Sequence, residues 1–247
     1  MQFNHQVVLV TGGASGMGAA CVRAFAASGA EVVMIDRNQT LGEVVAAQTN
    51  SHLELGDISD SSFCDTTVQR SLEKFGKIDV LVNAAGIIVR STGIETSDEA
   101  WHKIMNVNVS GSFFMARAAL RIMKAQQRGA IVNFGSIWGD LGATGVAAYC
   151  ASKGAIHNLT RALALEHAQD GIRINAVCPG EVNTPMLQAE RNEFVTEALL
   201  EKLAQTVPMG RLAEPEEIAR VVLFLASKDA SYMTGSLVTV DAGFTAR

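Results

Sequence analysis

The chain alternates between two hydrophobic rhythms. Short runs rich in Val, Ile and Leu, QVVLVTGG (6–13), EVVMID (31–36), HLELGD (52–57), IDVLVNAAG (78–86), GAIVNFGS (129–136) and RINAVCPG (173–180), are bounded by Gly, Asp or Pro and read as buried strands. Between them lie stretches with helical spacing: GMGAACVRAFAASGA from residue 16 with Gly29 near its end, segments near 40–49 and 60–75, one long helix over 98–125, and VAAYCASKGAIHNLTRALALEHA from residue 146. PEEIARVVLFLAS (215–227) is a last helix before a β-rich tail. Strands apolar on both faces and separated by helices predict an α/β fold with one parallel sheet of about seven strands, covered on each side.

The 247 residues suit one domain, 1–247, without linker or repeat. The one long insertion candidate is 183–210, whose helical middle is bracketed by Pro185 and Pro208. It reads either as a lid over the carboxyl ends of the strands or as a surface helical hairpin.

Composition narrows the function classes. A net charge of −5 with both signs interspersed offers no cationic stripe for nucleic acid. Apolar runs stop short of the ~18 residues a membrane span needs, and the start, MQFNHQVVLVTGG, lacks a basic leader, so a cytoplasmic protein is expected. Cys21, Cys64, Cys150 and Cys178 form no C-x-x-C pair, and the five histidines show no metal-ligand spacing, so no metal is expected.

TGGASGMG (11–18) joins the first strand to the first helix, where glycines let backbone N–H groups approach a pyrophosphate. Gly12, Gly16 and Gly18 give G-x-x-x-G-x-G, not the strict G-x-G-x-x-G, so the turn alone is a weak signal. Asp36 strengthens it, since an acid closing the second strand is placed to accept both adenosine ribose hydroxyls and repel a 2′-phosphate, predicting NAD over NADP. Arg37 beside it is either a partner for a 2′-phosphate or an ordinary solvated charge, and neither Ala14 nor Ser15 is basic.

Tyr149 and Lys153 are four apart and share one helix face. At ~4 Å and an effective dielectric of ~20, an ammonium attracts a phenolate by about 4 kcal/mol, enough to bring the tyrosine pKa from about 10 to about 7 before burial is counted. Such a phenol would act as a base near neutral pH, although the pair alone is common in ordinary helices. Ser136 ends a strand where ligands gather in open α/β sheets, and is placed to bond a substrate oxygen or to cap a turn. A serine nucleophile elbow is excluded, because Phe134 and Trp138 stand where glycines are required.

Together these motifs resemble the short-chain dehydrogenase/reductase family: TGGASGMG, NAAG (83–86), Asn108 in NVNVSG, Ser136, YCASK (149–153) and PGEVNT (179–184), with GSLVTVDAGF similar to the family's final strand. The resemblance implies a single doubly wound Rossmann fold and NAD-dependent interconversion of a secondary alcohol and a ketone. It implies Tyr149 as general acid/base, Lys153 as the group that depresses its pKa and holds the nicotinamide ribose, Ser136 on the substrate oxygen, and Asn108 anchoring a proton path. Cofactor contacts are implied for Gly12, Ser15, Gly16, Met17, Gly18, Asp36, Arg37, Asp57, Ile58, Asn83, Ala84, Gly86, Pro179, Val182 and Thr184, besides Tyr149 and Lys153, with Asn83 and Asn108 alternatively serving to satisfy backbone groups and brace strands and a helix. Hydride transfer belongs to the nicotinamide.

Substrate is expected between 87–91, 138–146 and 183–210. Trp138, Val146 and Leu187 would favour apolar groups, whereas Glu181 either bonds hydroxyls of a polyol or sugar acid or faces solvent. His157 reads as packing or a subunit contact, and the apolar helix 215–227 as a core element or a surface of the family's usual homotetramer. Two alternatives stand beside the alcohol dehydrogenase: an NADPH-dependent 3-oxoacyl (carrier protein) reductase, against which Asp36 and the acidic balance argue, and a non-enzymatic NAD-sensing protein, which would not need Asn108, Ser136, Tyr149 and Lys153 together.

Overall fold

The computed structural model describes residues 2–187, 189 and 195–246. Seven strands, β1 (Val7–Thr11), β2 (Glu31–Asp36), β3 (His52–Leu55), β4 (Val80–Asn83), β5 (Gly129–Phe134), β6 (Ile172–Pro179) and β7 (Leu237–Val240), form one sheet in the order 3-2-1-4-5-6-7. Every pairing is parallel, and the order reverses between β1 and β4. That reversal opens the crevice in which doubly wound sheets bind ligands.

The continuous apolar runs arise because both strand faces are covered. Val8 and Val10 of β1 face a cluster that includes α1 (Gly16–Ala27) and α8 (Pro215–Ala226), while Val7 and Leu9 face α3 (Ser61–Phe75), α5 (Ser112–Gln126) and the later turns of α6 (Ala147–His167). Helix α8 is therefore a core element on one face, through Ile218, Val222 and Leu225. Its last carbonyls and those of the turn that follows are gathered by Arg173, which donates to the carbonyls of Leu225, Ala226, Ser227 and Ala230 at 2.7–3.0 Å. Local signals mark the remaining ends: Asn38 caps α2 (Gln39–Thr49), while Asp60 starts α3 and Gly76 ends it in the left-handed region.

The helix expected over 98–125 is interrupted. It runs as α4 (Asp98–Met105), a π-helical stretch at Asn106–Gly111, and α5. The π-helical stretch carries Asn108 in a buried position, and at Gly111 a Cβ would approach Ile58 Cδ1 to 2.6 Å, so any larger residue there would force the Ile58 side chain to move. The 3.6-residue rhythm of the side chains continues through the stretch, which is why the interruption is not visible in the sequence. Beyond β6, a 3-10 turn (Pro185–Leu187) and α7 (Glu197–Thr206) occupy the insertion, and residues 188 and 190–194 of that segment lie outside the described residues.

Candidate active site

Two adjoining cavities open at the carboxyl ends of the strands, of about 290 Å³ and about 250 Å³, sharing Met17, Ala84, Gly86, Thr184 and Met186. The first lies at the β1/β4 reversal and is walled by Gly12, Ser15, Gly16, Gly18, Asp36, Arg37, Asp57 and Ile58. Gly12 adopts φ +67°, and a Cβ there would stand 2.7 Å from Ala85 Cα; one at Gly18 would overlap the Gly12 carbonyl. The turn is thus folded on itself as only glycines allow. Ser15, the residue before α1, makes no side-chain cap, and the first turn of α1 carries no acid, so its leading N–H groups face the cavity uncompensated by side chains. Asp36 is held in place: Oδ2 accepts from Ala14 N–H at 3.0 Å and Oδ1 from Asn38 N–H at 2.9 Å.

The second cavity is walled by Ser136, Trp138, Val146, Tyr149, Lys153, Pro179, Glu181, Val182, Thr184 and Leu187. The sheet and α6 bring these together from opposite sides, and the bridges Ser91–Val146 and Val182–Ala213 pin the loops between. Ser136 caps the 3-10 turn Ile137–Gly139, its Oγ accepting from Trp138 N–H at 3.2 Å, and its hydroxyl also stands against the Tyr149 phenol, favouring the ionised form. The turn-capping role weighed for Ser136 is therefore filled, and the same hydroxyl also faces the Tyr149 phenol.

The expected lowering of the Tyr149 pKa by Lys153 does not hold. Burial pushes the phenol up to about 12, against the Ser136 hydrogen bond, with Glu181 and Cys150 adding to the rise and Arg90 opposing it. Lys153 lies over the Tyr149 ring, 5.5 Å from its centroid, and donates to the Phe134 carbonyl at 2.7 Å. Its own pKa is lowered to about 8 by burial. Burial of the phenol is the largest influence and outweighs the groups that favour the phenolate.

Asn83 and Asn108 line neither cavity. Asn108 Oδ1 accepts from Ile87 N–H at 2.8 Å and Nδ2 donates to the Ile87 carbonyl and Ser152 Oγ, bracing the chain just after Gly86. Asn83 Nδ2 donates to the Ser112 carbonyl and Asn133 Oδ1, tying β4 to α5 and β5. Glu181 does line the cavity, which answers the question of whether it faces it. Sequence reasoning missed Arg90, Thr144 and Leu203, three further wall residues. Each falls inside a stretch expected to bound the substrate, but no spacing rule distinguishes it from its neighbours. Among the described residues no group of three His, Cys, Asp or Glu is placed to hold a metal, and no helix is long and apolar enough to cross a membrane.

Comparison with known proteins matches this geometry to a family. A family model described as enoyl-(acyl carrier protein) reductase, of the short-chain alcohol dehydrogenase type, matches residues 12–245. The chain belongs to the short-chain dehydrogenase/reductase family. It is an enzyme of the alcohol dehydrogenase/ketoreductase type. Similar proteins include meso-2,3-butanediol dehydrogenase of Serratia marcescens, 42% identical over 250 residues, covering 100% of this chain and 97% of the relative. Galactitol 2-dehydrogenase (L-tagatose-forming) of Cereibacter sphaeroides is 44% identical, covering 96% and 93%. The crystal structure of levodione reductase superposes with a TM-score of 0.94 at 33% identity, covering 99% of each chain.

Proposed function

We propose that this short-chain dehydrogenase/reductase is an NAD-dependent dehydrogenase of a secondary alcohol flanked by further hydroxyl groups, a diol or polyol, with Tyr149 as general acid/base. The observation that carries the reading is the convergence of Ser136, Tyr149 and Lys153 on a cavity that adjoins the glycine-turn cavity through Gly86 and Thr184. The turn closed on Gly12 and Gly18, the uncapped start of α1 and the braced carboxylate of Asp36 fit a dinucleotide with a free adenosine ribose. Asp57 and Ile58 would flank the adenine, Ala84 and Gly86 the central part, and Pro179, Val182 and Thr184 the nicotinamide end. When bound, the nicotinamide supplies the hydride acceptor or donor.

The protein's share is acid/base chemistry and placement. Ser136 and Tyr149 hold the substrate oxygen between two hydroxyls. With its phenol protonated at neutral pH, Tyr149 is set to give a proton to a ketone oxygen; in the oxidative direction it must first lose that proton, which Ser136 assists and burial opposes. Asn108 acts at one remove, through the backbone of Ile87 and the Ser152 hydroxyl. Glu181 and Thr144 supply acceptors for neighbouring hydroxyls, in keeping with the butanediol and galactitol enzymes that the chain resembles.

The insertion at 183–210 acts as a lid, laying Thr184 over Gly16 and placing Leu187 and Leu203 in the substrate cavity wall. The enzyme works in the cytoplasm, in keeping with four free cysteines, and assembles as a homotetramer through its half-exposed edge strand β7 and the Phe224 side of α8. The test is NADH formation from NAD, with NADP in parallel, on 2,3-butanediol, galactitol, cyclopentanol and hydroxy acids. Activity with NAD on the diols and polyols is expected. Activity confined to NADP, or to alcohols without a second hydroxyl, overturns the cofactor or the substrate assignment, and a solution mass decides the assembly.

A further inference from the structure

Behind Ser136 lies a polar cluster that the acid/base reading does not use. His157 sits on α6 one turn after Lys153, its side chain only 2% exposed. Its Nδ1 lies 3.1 Å from Asp140 Oδ1, and since a carboxylate can only accept, Nδ1 carries the proton. The neutral ring then presents Nε2 as an acceptor. Facing that lone pair are the Ser136 backbone N–H at 3.4 Å and the Cys178 thiol of β6 at 3.3 Å. Burial and the Asp140 charge push the thiol up to about 12, so it stays S–H and is a donor as well.

The loop is wrapped closely around the ring. A Cβ at Gly135 would stand 2.6 Å from Nε2 and 2.8 Å from Cys178 Sγ, and one at Gly139 would overlap the ring outright. The imidazole therefore fills the space inside residues 135–140, the loop that carries Ser136 from the end of β5 to Tyr149. Asp140, at 60% exposure, closes the cluster on the solvent side.

We propose that His157, oriented by Asp140, is a positioning residue that holds the backbone of Ser136 and so sets Ser136 Oγ against the Tyr149 phenol. The inference rests on the reading of Ser136 and Tyr149 as the groups that hold the substrate oxygen. His157 touches neither substrate nor cofactor cavity, so its effect belongs in turnover and not in binding.

Substitutions separate the two ends of the ring. Gln at 157 can place an acceptor where Nε2 stands; Asn can reach Asp140 but not Ser136; Leu can do neither. With active sites counted by NADH titration, His157→Asn and His157→Leu are expected to lower kcat about tenfold or more, while KM for the alcohol and Kd for NADH move less than about threefold. His157→Gln should recover most of the loss. In a Ser136→Ala background, His157→Asn should cause no further fall, because the hydroxyl it positions is gone.

Wild-type kcat per NADH site in the Asn and Leu variants overturns the proposal, as does an equal fall with and without Ser136, which marks a merely structural residue. Where the 157 variants do not fold, Asp140→Asn replaces them: its carboxamide no longer forces Nδ1 to donate, and a Ser136-dependent fall in kcat is expected, its absence overturning the proposal. Unchanged turnover in Ser136→Ala alone overturns instead the reading on which the proposal stands.

Discussion

Lys153 gives its ammonium to the Phe134 carbonyl, 2.7 Å away, while lying 5.5 Å from the centroid of the Tyr149 ring one helical turn before it. The last carbonyl of β5 is thereby tied to α6, and the cation is spent partly on the scaffold. Its pKa, lowered by burial from 10.5 to about 8, makes it a stability cost at neutral pH. Below about pH 8 both folded and unfolded chains hold the proton and the cost is constant. Between about 8 and 10.5 the unfolded chain holds more protons than the folded one, so this group's contribution rises with pH. Lys153→Met removes the charge, and its advantage in thermal unfolding over wild type is expected to shrink by roughly 3 kcal/mol across that window. A difference that is flat with pH would show that Lys153 keeps an ordinary pKa in the fold.

Tyr149→Phe removes the proposed acid/base and leaves the ring packed. Turnover is expected to fall by about 10²–10⁴-fold while NADH binding, followed by fluorescence titration, stays near wild type. Near-normal activity would eliminate the proposed role. Because the wild-type phenol is raised to about 12, alcohol oxidation should accelerate as pH rises above neutrality, whereas ketone reduction should not gain.

Asp36→Ala deletes a carboxylate held by two backbone N–H groups. The ratio of kcat/KM for NAD to that for NADP is expected to drop at least about tenfold, from both weaker ribose bonding and lost repulsion of a 2′-phosphate. An unchanged ratio would place the discrimination elsewhere, with Arg37 the neighbouring candidate.

Arg173→Met removes the guanidinium shared by the Leu225 and Ala226 carbonyls of α8 and the Ser227 and Ala230 carbonyls just beyond it. Ser227 and Ala230 keep backbone donors, from Ala230 and Met233 N–H, but the Leu225 and Ala226 carbonyls lose theirs, at a cost of about 3 kcal/mol in all, or roughly 6–12 °C in Tm for a chain of this size. Calorimetry on the purified variant checks this, and a shift under about 2 °C would mean that water replaces the guanidinium without loss.

Glu181→Leu changes the substrate cavity from carboxylate to apolar wall. We expect kcat/KM for 2,3-butanediol or galactitol to fall about tenfold or more, with cyclopentanol unchanged or improved. Equal effects on both classes would show that Glu181 does not read hydroxyls. Since Glu181 also raises the Tyr149 pKa, the oxidation pH profile of this variant should move to lower pH.

Local chemistry determined much of this protein from the sequence alone. Unbroken Val and Ile runs such as VVLVT require a sheet covered on both faces, Gly18 packed on the Gly12 carbonyl requires a turn too tight for a side chain, and the four-residue spacing of Tyr149 and Lys153 requires one helix face; each depends on neighbours along the chain. The glycine turn, Asp36 and the order of strands and helices were legible for that reason. Tertiary structure alone decided what depends on distance and burial between segments far apart. It turned Asn83 and Asn108 inward as braces, placed a π-helical stretch at Asn106–Gly111, brought Arg90, Thr144 and Leu203 to the substrate cavity, and set His157 against Ser136, Asp140 and Cys178. The same difference explains the Tyr149 pKa: the sequence shows that a cation is near, but desolvation sets the balance, and it is a property of the packed fold.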